Sequence, residues 1–549
     1  MIGFPGSARE LPWRSRRIAP VMGTRGMVAS AHQLASSAGA GVLAQGGNAV
    51  DAAVASALVA SVVLPEMCGF GGDLFALVHD PRRDGALSYQ GSGRAPRQLT
   101  YEMAQAAGPG GHLMPEQGPL SIGVPGMARG YRDLLTNHGT RSFEELVQPA
   151  LDYAENGHPI ARGLADHIAP DVDLLSSFPG SAAVFLPGGK PPSPGQLLKQ
   201  SNLAQTFRRL IEAGLDDFYE GELARRIASG VQAVGGVLSV ADLADHETEI
   251  TAPLSVDYRG YRVNQTNLPS QGLIHLEAHT IADQLLDPAE FFSDRWIHQQ
   301  VEILKLSFAD RLAYTQDPWT GASPVDRLLS SDWARMRAAA VCDKAATNVP
   351  AGQFQDGDTT YLAAVDGQGM MVSLIQSVSH AFGSGVVAGG TGIVMNNRVG
   401  RGFTLDPTHP NVYEPGKRTM HTLNCFSIET LDGTPIMVGG TPGGDGQPQW
   451  NLQMVTAMID AGLDVQQAVE MPRWTLRPGT DPVTIGTPFE LWLEPEFGET
   501  NFAQLAARGH EIRTKTGWHG AAQLIVRDPE TGVIVGGSDL RVEGQAIGL

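Results

Sequence analysis

Residues 355–379 read QDGDTTYLAAVDGQGMMVSLIQSVS, and this stretch decides the fold. Two runs rich in strand-forming residues, Thr360–Val365 and Met370–Val378, flank the sequence Asp-Gly-Gln-Gly at 366–369. Aspartate and glycine accept the backbone angles of a tight turn, so this arrangement is typical of a β-hairpin. The sequence therefore predicts two antiparallel strands, with Thr359 at the start of the first.

The last third of the chain repeats this pattern. Two further pairs of strand-like runs flank short turns: Asn424–Leu431 with Pro435–Val438, and Gln523–Val526 with Val533–Val535. A helix is expected between these hairpins at Trp450–Ala461, because apolar residues recur there on one face and a glycine follows.

Ala49 to Leu64 is the most apolar stretch of the chain and predicts a buried helix. Asn48 can cap its first turn, and Asp51 suits the positive end of the helix dipole. The stretch is apolar nearly all round, which indicates packing between two layers. Further helices are expected at Phe143–Asn156, Leu203–Ala213 and Trp296–Tyr314. Hairpins with helices laid on them predict a layered α+β protein with largely antiparallel sheets.

Composition excludes several classes of protein. The 549 residues are 42% hydrophobic and 18% charged, which is ordinary for a globular protein. The formal net charge of −19 argues against a nucleic-acid or anionic-membrane partner, since both require a basic surface. No linker is visible, so we expect one large core or two closely packed ones.

The cysteines and the first residues bear on localisation. Cys68, Cys342 and Cys425 do not have the short spacing of a zinc or redox motif, which favours a reducing compartment. The N-terminal segment has no apolar run typical of a signal peptide, and the apolar stretch at 49–64 is too short to span a membrane. We therefore expect a cytoplasmic enzyme with no membrane partner.

The common catalytic motifs are missing from the sequence. It has no GxSxG, no Walker loop and no HExxH, and its histidines are scattered, so we expect neither a metal nor a cofactor. The glycine-dense segment GGTPGGDG at 439–446 has the wrong context for a dinucleotide fingerprint, and a tight turn is the simplest interpretation.

Several motifs occur together in one order. They are GGNAVDAAVA (46–55), GFGGDLF (69–75), GVPGMARGY (123–131), EILKLSFADR (302–311), GSGVVAGGTGIVMNN (383–397), GTPGGDGQPQ (440–449) and GGSDLR (536–541). With TTY at 359–361 they resemble the γ-glutamyltransferase family over about Gly26 to Arg541. The resemblance implies the N-terminal-nucleophile hydrolase fold, a four-layer αββα sandwich of antiparallel sheets with helices on both sides.

The resemblance also implies that Thr359 is the nucleophile of a self-cleaving enzyme. A threonine hydroxyl needs a base, and relatives use the freed α-amine of the threonine itself. The Asp358–Thr359 bond must then break first. This would give a large subunit, 1–358, and a small subunit, 359–549, which form one intertwined fold as a heterodimer that could dimerise further.

Other site residues are implied by position in the family's motifs. Thr360 is expected to orient Thr359, and the backbone N–H groups of Gly443 and Gly444 to hold the oxyanion. Ser377 and Ser379 share one face of the second hairpin strand and are expected around the nucleophile. Two further substrate-binding positions, where transpeptidases carry paired serines, are His421 and Thr422.

The sequence departs from the transpeptidases where they hold their substrate. Arg398 and Arg401 stand where relatives hold an α-ammonium with acidic or amide side chains. Ser92 stands at the position of the arginine that grips the α-carboxylate, and Arg94, two residues later, offers a planar fork that suits a carboxylate. Exchanging attraction for repulsion toward an ammonium disfavours it by several kcal/mol at an effective dielectric of about 20.

These departures favour an anionic acyl group without an α-ammonium. We expect an amidohydrolase that cleaves a small amide through a threonyl acyl-enzyme, similar to the acylase and oxamate-hydrolase branches. A true γ-glutamyl hydrolase or transpeptidase acting on glutathione-like substrates is the first alternative, and a non-catalytic scaffold of the same fold is the second.

Overall fold

The structure is a computed structural model and describes residues 2–3, 11–13, 19–347, 358–478, 487–515 and 519–549. Its strands are β1 (Val21–Gly23), β2 (Gly26–Ser30), β3 (Asp73–His79), β4 (Ala86–Gly91), β5 (His158–Pro159), β6 (Leu197–Leu198), β7 (Glu249–Thr251), β8 (Leu254–Tyr258), β9 (Tyr261–Gln265), β10 (Asp358–Asp366), β11 (Met371–Ser379), β12 (Phe426–Thr430), β13 (Pro435–Gly440), β14 (Trp474–Arg477), β15 (Glu490–Leu493), β16 (Ile512–Thr514), β17 (Gln523–Arg527), β18 (Ile534–Ser538) and β19 (Gln545–Gly548).

The helices are α1 (Gln33–Ala44), α2 (Ala49–Val63), α3 (Tyr101–Ala107), α4 (Met127–His138), α5 (Phe143–Asn156), α6 (Arg162–Ile168), α7 (Val172–Ser176), α8 (Pro179–Phe185), α9 (Ser201–Ala213), α10 (Asp217–Glu220), α11 (Glu222–Ala233), α12 (Val240–Ala244), α13 (Gly272–Leu285), α14 (Asp294–Tyr314), α15 (Val325–Leu328), α16 (Ser331–Ala340), α17 (Arg398–Gly402), α18 (Gly446–Ile459), α19 (Val465–Glu470) and α20 (Gly498–Ala507).

Two seven-stranded sheets form the centre of the molecule. Sheet A has the order β19-β2-β10-β11-β3-β4-β7, and sheet B the order β1-β18-β17-β13-β12-β9-β8. Every pairing in both sheets is antiparallel. Apolar side chains from both sheets meet in one buried cluster between them, including Phe75, Tyr361, Val438, Ile525 and Ile534.

Helices cover the outer face of each sheet. Helices α1, α2, α5 and α9 join one apolar cluster against sheet A, and α13, α14, α18 and α19 join another against sheet B. This arrangement confirms the predicted four-layer αββα sandwich. The three hairpins predicted from their turns are also confirmed, as β10 with β11, β12 with β13, and β17 with β18.

Sheet A interleaves strands from distant parts of the chain. Strand β10 pairs with β2 on one side and β11 on the other, and β11 pairs in turn with β3. The hairpin of β10 and β11, which begins at the predicted cleavage site, therefore lies inside sheet A between β2 and β3, two strands from the first quarter of the sequence. Residues on both sides of Thr359 share one core.

Helix α2 supports this part of sheet A. All of its residues are buried, and Asn48 and Asp51 form a reciprocal capping box at its start, as the sequence predicts. The Asp51 carboxylate also accepts hydrogen bonds from Thr140 and Arg141, which satisfies a charge that burial would otherwise destabilise. Each fully buried valine or leucine of α2 contributes about 1.5–3 kcal/mol relative to an exposed one.

The predicted helices agree with the structure apart from their ends. Helix α5 matches its predicted bounds, α9 and α14 begin two residues earlier than expected, and α18 begins at Gly446 and ends at Ile459. No helix in the described ranges is both long enough and apolar enough to cross a membrane.

Candidate active site

Thr359 lies at the start of β10 with its side chain between the two sheets. It is 2% exposed, and its Oγ1 donates a hydrogen bond to Ser377 Oγ at 3.2 Å. Ser377 Oγ also accepts from the backbone N–H of Ser379 at 2.7 Å. The pairing of β10 with β11 is irregular between Asp358 and Thr360, so Thr359 occupies a bulge in the strand. A bulge of this kind re-aims a side chain, and here it aims at Ser377.

Thr360 points to the other face of sheet A. It lies opposite Gln376, whose side chain contacts the hydroxyl of Tyr131 and the carbonyl of Ala57 in the helical layer. The expectation that Thr360 orients Thr359 therefore differs from the structure, which gives that contact to Ser377. The reason is the alternation of side chains along a strand, which sends neighbouring residues to opposite faces.

Ser379 is held in an unusual backbone conformation. Its φ of +93° lies in the left-handed region that residues with a Cβ rarely adopt, and such strain costs about 1–3 kcal/mol. Its carbonyl accepts a hydrogen bond from Arg401 Nη1 at 3.4 Å. Its hydroxyl is buried and has no hydrogen-bond partner among the described residues. Strain combined with an unused polar group is typical of a ligand site.

Arg398 and Arg401 are both buried, on helix α17, and Arg398 is joined to an aspartate. Arg398 Nε donates to Asp73 Oδ2 at 3.2 Å, and its Nη1 donates to Thr422 Oγ1 at 3.2 Å. His421 Nε2 lies 3.0 Å from the same Asp73 oxygen. Among Asp73, Arg398 and Arg401 the formal charges leave one net positive charge.

Sequence reasoning missed Asp73. The residue occurs in the quoted motif GFGGDLF, but that motif was assigned no role in the site. A usable signal was present, because an aspartate at the start of an apolar strand needs a cationic partner when it is buried. The partner, Arg398, is 325 residues away, and only the fold brings the two together.

His421 is neutral and has a defined tautomer. Its Nδ1 accepts a hydrogen bond from the backbone N–H of Leu423 at 3.1 Å, so the ring proton lies on Nε2 and is donated to Asp73. Burial, helped by the positive charge of Arg398, lowers the pKa of His421 to about 4 despite the opposing effect of Asp73. At neutral pH His421 therefore acts as a fixed donor.

Gly443 and Gly444 form a turn that follows the end of β13. An added Cβ on Gly440, the last residue of β13, would come within 2.6 Å of the ring of Tyr361, two residues after Thr359, so the end of β13 is in contact with β10. Gly443 has φ of +126° and Gly444 of +51°, conformations that glycine adopts without strain.

The carbonyls of this turn are held in fixed directions. Thr441 Oγ1 donates to the carbonyl of Pro442 at 3.0 Å, and the N–H of Gly446 donates to the carbonyl of Gly443 at 2.7 Å. In a trans peptide the N–H points opposite to the carbonyl, so the N–H groups of Gly443 and Gly444 are directed away from those partners. Two oriented N–H groups of this kind are what an oxyanion requires.

Gln271 connects the turn to the opposite wall of the site. Its Nε2 donates to the carbonyl of Thr422 at 2.6 Å and to that of Gly444 at 2.8 Å. Its Oε1 accepts from the buried guanidinium of Arg311, which also contacts Asp445. Sequence reasoning did not find Gln271, and it quoted Arg311 only as the end of a family motif.

Arg94 lines a cavity of about 260 Å³ that also includes Ser92, Trp319 and Arg418. Its Nη1 donates to the carbonyl of Gly416 at 3.2 Å, and its guanidinium lies 5.5 Å from the centre of the Trp319 ring. These contacts run along the cavity wall. Direct contacts join Thr359, Ser377, Ser379 and Arg401 in one group, and Arg398, His421 and Thr422 in another through Asp73. Gln271 links Thr422 to Gly444, and Arg94 lies in the separate lining of the cavity.

Three side chains that can bind metals come together elsewhere, although the sequence shows no cluster. Nitrogen and oxygen atoms of His298, Glu302 and His510 lie within 4.8 Å of one another. His298 Nε2 donates to the carbonyl of Cys342 at 2.7 Å, so its Nδ1 accepts from His510 Nε2 at 2.8 Å. Glu302 binds Lys305 Nζ at 2.7 Å. All three side chains are thus engaged by protein partners, the two histidines with each other and Glu302 with a lysine.

Known proteins share this architecture over nearly the whole chain. The profile of the family described as gamma-glutamyltranspeptidase matches residues 35–549. The glutathione hydrolase-like YwrD proenzyme of Bacillus subtilis is 38% identical, with 96% of this chain and 99% of that protein covered. The oxamate amidohydrolase proenzyme of Klebsiella pneumoniae is 35% identical, with 96% and 98% covered.

A solved structure agrees with these relatives. The crystal structure of cephalosporin acylase from Bacillus halodurans superimposes with a TM-score of 0.89 at 35% identity, covering 100% of this chain and 99% of that one. The chain is therefore an enzyme, a hydrolase of amidohydrolase or glutathione-hydrolase-like type, and it belongs to the gamma-glutamyltranspeptidase family.

Proposed function

We propose that the protein is a self-processing N-terminal threonine amidohydrolase that cleaves a small amide with an anionic acyl group. The observation that carries the proposal is the position of Thr359. Its hydroxyl lies at the start of β10 and donates a hydrogen bond to Ser377 Oγ. The names of the relatives are consistent with the proposal.

Self-cleavage is the first step. Thr359 Oγ attacks the carbonyl carbon of Asp358, an ester forms, and the Asp358–Thr359 C–N bond breaks as the nitrogen takes the hydroxyl proton. Water then hydrolyses the ester, which releases the carboxylate of Asp358 and the free hydroxyl and amine of Thr359. The products are residues 1–358 and 359–549, held together as a heterodimer by the shared sheet A.

Catalysis then uses the freed amine. An α-amine has a pKa near 8, so it can take the proton from Thr359 Oγ close to neutral pH. The oxygen attacks the substrate's amide carbonyl, and the N–H groups of Gly443 and Gly444 stabilise the oxyanion. The ammonium returns its proton to the leaving amine, and water releases the acid from the threonyl ester.

The donors of the site support an anionic acyl group. Helix α17 carries two buried guanidinium groups, which have only donors, and Asp73 forms an ion pair with one of them. Oxamate, the substrate in the name of one relative, has a carboxylate that can accept from such donors and has no ammonium. A ligand carboxylate that replaces water here would gain charge-assisted hydrogen bonds.

A γ-glutamyl substrate is the second candidate, and one observation favours it. Asp73 supplies a buried carboxylate 3.2 Å from Arg398, and a carboxylate is what an α-ammonium needs. A relative with the name glutathione hydrolase-like supports the same alternative. Asp73 is already shared by Arg398 and His421, however, which makes it a weaker ammonium site than an uncommitted acid.

We also propose that the enzyme works in the cytoplasm and that its heterodimers could associate further. All three cysteines are free thiols, and Cys68 and Cys425 are buried where oxidation would be difficult. Reduced thiols are typical of a reducing compartment.

Two measurements test the proposal. Purified protein should run as two chains, with N-terminal sequencing of the smaller one starting at Thr359, and Thr359→Ala should remain a single chain. The wild-type enzyme should then hydrolyse glutaryl anilide faster than γ-glutamyl anilide, which differs only by the α-amino group. A clear preference for the γ-glutamyl compound would restore the second candidate, and cleavage at another residue would refute the nucleophile.

A further inference from the structure

His380 follows directly after the strained Ser379, at the point where β11 ends. Its ring lies beside Asn397, which precedes helix α17 and its two arginines. The positive charges of Arg401 and Arg398 both act on this ring. The side chain therefore belongs to the same wall of the site as the residues expected to bind the acyl group.

The hydrogen bonds of Asn397 determine which nitrogen of His380 carries the proton. Asn397 Oδ1 accepts from the backbone N–H of His380 at 3.0 Å, and Asn397 Nδ2 donates to the carbonyl of Glu116 at 2.8 Å. Both partners are backbone groups with a single possible role, so the orientation of the amide is fixed. The same Nδ2 lies 3.1 Å from His380 Nδ1, which must therefore accept.

The proton of the neutral ring consequently lies on Nε2. This atom is buried and has no hydrogen-bond partner among the described residues. Burial, with the positive charges of Arg401 and Arg398, keeps the pKa of His380 well below its usual value, so the ring stays neutral. A buried donor without a partner costs about 1–3 kcal/mol, which is usually tolerated where a ligand supplies the acceptor.

The polar groups of the neighbouring residues indicate what that ligand is. Ser379 precedes His380 and has a buried hydroxyl with no partner among the described residues, and its carbonyl accepts from Arg401. The guanidinium groups of Arg398 and Arg401 have only donors, so a ligand that binds among these residues must supply acceptors. A carboxylate has two oxygens and no proton at neutral pH, whereas an ammonium has only donors and would be rejected.

We propose that His380 is a specificity-determining residue whose Nε2–H donates a hydrogen bond to the carboxylate of the substrate's acyl group. This inference rests on the proposed function, which supplies the anionic acyl group. It adds a neutral donor to the two arginines and explains why the amide of Asn397 is held by two backbone groups. His380 contributes discrimination between acyl groups and takes no part in self-cleavage.

Substitutions at His380 test the inference through a ratio of two substrates. Glutaryl and butyryl anilides have similar acyl chains, but only glutaryl carries the carboxylate. His380→Phe keeps a flat ring without the donor, and we expect it to lower the glutaryl-to-butyryl ratio of kcat/KM by about tenfold or more. His380→Gln retains an amide donor near the position of Nε2 and should keep part of the ratio. His112→Phe replaces an exposed histidine and serves as the matched control.

Self-cleavage reports on folding, since each variant must still yield the chain that begins at Thr359. A His380→Phe enzyme that is cleaved and keeps the wild-type ratio would overturn the inference. If His380→Phe does not fold, the same comparison is made with His380→Gln. Its glutaryl-to-butyryl ratio of kcat/KM must then be about two- to tenfold lower than that of the wild type.

The tautomer gives a second readout that does not depend on activity. In protein labelled with ¹⁵N-histidine, the His380 signal, assigned by its loss in the variants, should show a proton on Nε2 and none on Nδ1 at pH 7. Added glutarate should shift the Nε2 signal, and butylamine should not. A proton on Nδ1, or no response to glutarate, would refute the inference. A wild-type preference for γ-glutamyl anilide would instead refute the proposed function and leave the tautomer unaffected.

Discussion

The carboxylate of Asp73 accepts a hydrogen bond from Arg398 Nε at 3.2 Å, and the two side chains are only 1% and 4% exposed, respectively. A buried arginine without such a partner would cost several kcal/mol, because its charge loses hydration. Asp73 therefore makes it possible to keep Arg398 in the core of the site, where it also contacts Thr422. The same carboxylate accepts from His421, so one acidic residue holds two side chains of the site in place.

The contact between Thr359 and Ser377 gives the first prediction. Ser377→Ala removes the hydroxyl that lies 3.2 Å from Thr359 Oγ1, and we expect it to slow self-cleavage up to about tenfold, the value of one ordinary hydrogen bond. Thr360→Val keeps the shape of the side chain on the helical face and should slow self-cleavage less. Cleavage rates come from the decay of the precursor band after expression in a cell-free system. A larger effect from Thr360→Val would return the orienting role to Thr360.

The fold and the surroundings of Thr359 differ in how far the sequence predicts them. The hairpins, the capped helix α2 and the layered fold follow from patterns within about 20 residues, which local propensities and turns determine. The partner of Thr359 depends on a bulge between Asp358 and Thr360, and strand alternation read from the sequence alone does not include it. The motifs predict Thr359 as the nucleophile through resemblance, while the contacts around it depend on the fold.

Contacts between residues far apart in the sequence could not be predicted for a different reason. Asp73 and Arg398 are 325 residues apart, and His298 and His510 are 212 apart. Neither pair forms a recognisable sequence motif. The number of residues between its two members depends on the helices and strands that happen to lie between them. The sequence shows Arg398 and Arg401 as departures from the transpeptidase pattern, whereas the contact between Arg398 and Asp73 depends on the fold.

The second prediction concerns pH. Because the pKa of His421 is lowered to about 4 in the folded protein, the unfolded state binds the proton more readily between pH 4 and 6.5. The stability that His421 contributes is therefore complete above pH 6.5 and is lost as the pH falls toward 4. Between pH 7 and pH 5 we expect this residue to account for a loss of about 2 kcal/mol.

His421→Gln isolates this contribution. Urea denaturation at pH 7 and pH 5 should show a smaller loss of stability on acidification for His421→Gln than for the wild type, by about the same 2 kcal/mol. Replacing the exposed His112 by glutamine should leave the loss unchanged. An equal loss in all three proteins would mean that His421 is not kept neutral by the fold.

Metal independence is the third prediction. The cluster of His298, Glu302 and His510 is the group in the described part of the chain whose atoms are close enough to bind an ion. Its atoms are already joined by hydrogen bonds, and Lys305 lies 2.7 Å from Glu302. Activity toward glutaryl anilide should therefore survive prolonged dialysis against EDTA, and mass spectrometry of the native protein should show no bound zinc. Activity that disappears on chelation and returns with zinc would contradict this.

The last prediction separates the two arginines of helix α17. Arg398 forms an ion pair with Asp73, so Arg398→Ala leaves a buried carboxylate without its cationic partner. We expect it to lower the free energy of unfolding by about 3–5 kcal/mol and to lower activity as well. Arg401 Nη1 donates to the carbonyl of Ser379, a residue expected around the substrate. Arg401→Ala should therefore act mainly on substrate binding. We expect kcat/KM for glutaryl anilide to fall about ten- to a hundredfold, the value of a charge-assisted hydrogen bond, with little change for butyryl anilide.

Arg401→Lys is the matched variant, because it keeps the positive charge and loses the planar fork. It should retain part of the preference for glutaryl anilide if charge dominates, and little of it if the bidentate geometry dominates. Self-cleavage of each variant confirms that it has folded. Equal losses for glutaryl and butyryl anilides in Arg401→Ala would show that Arg401 supports the strained backbone at Ser379 and does not bind the acyl carboxylate. In that case the preference for an anionic substrate would have to come from Arg398, from His380 or from the cavity lined by Arg94.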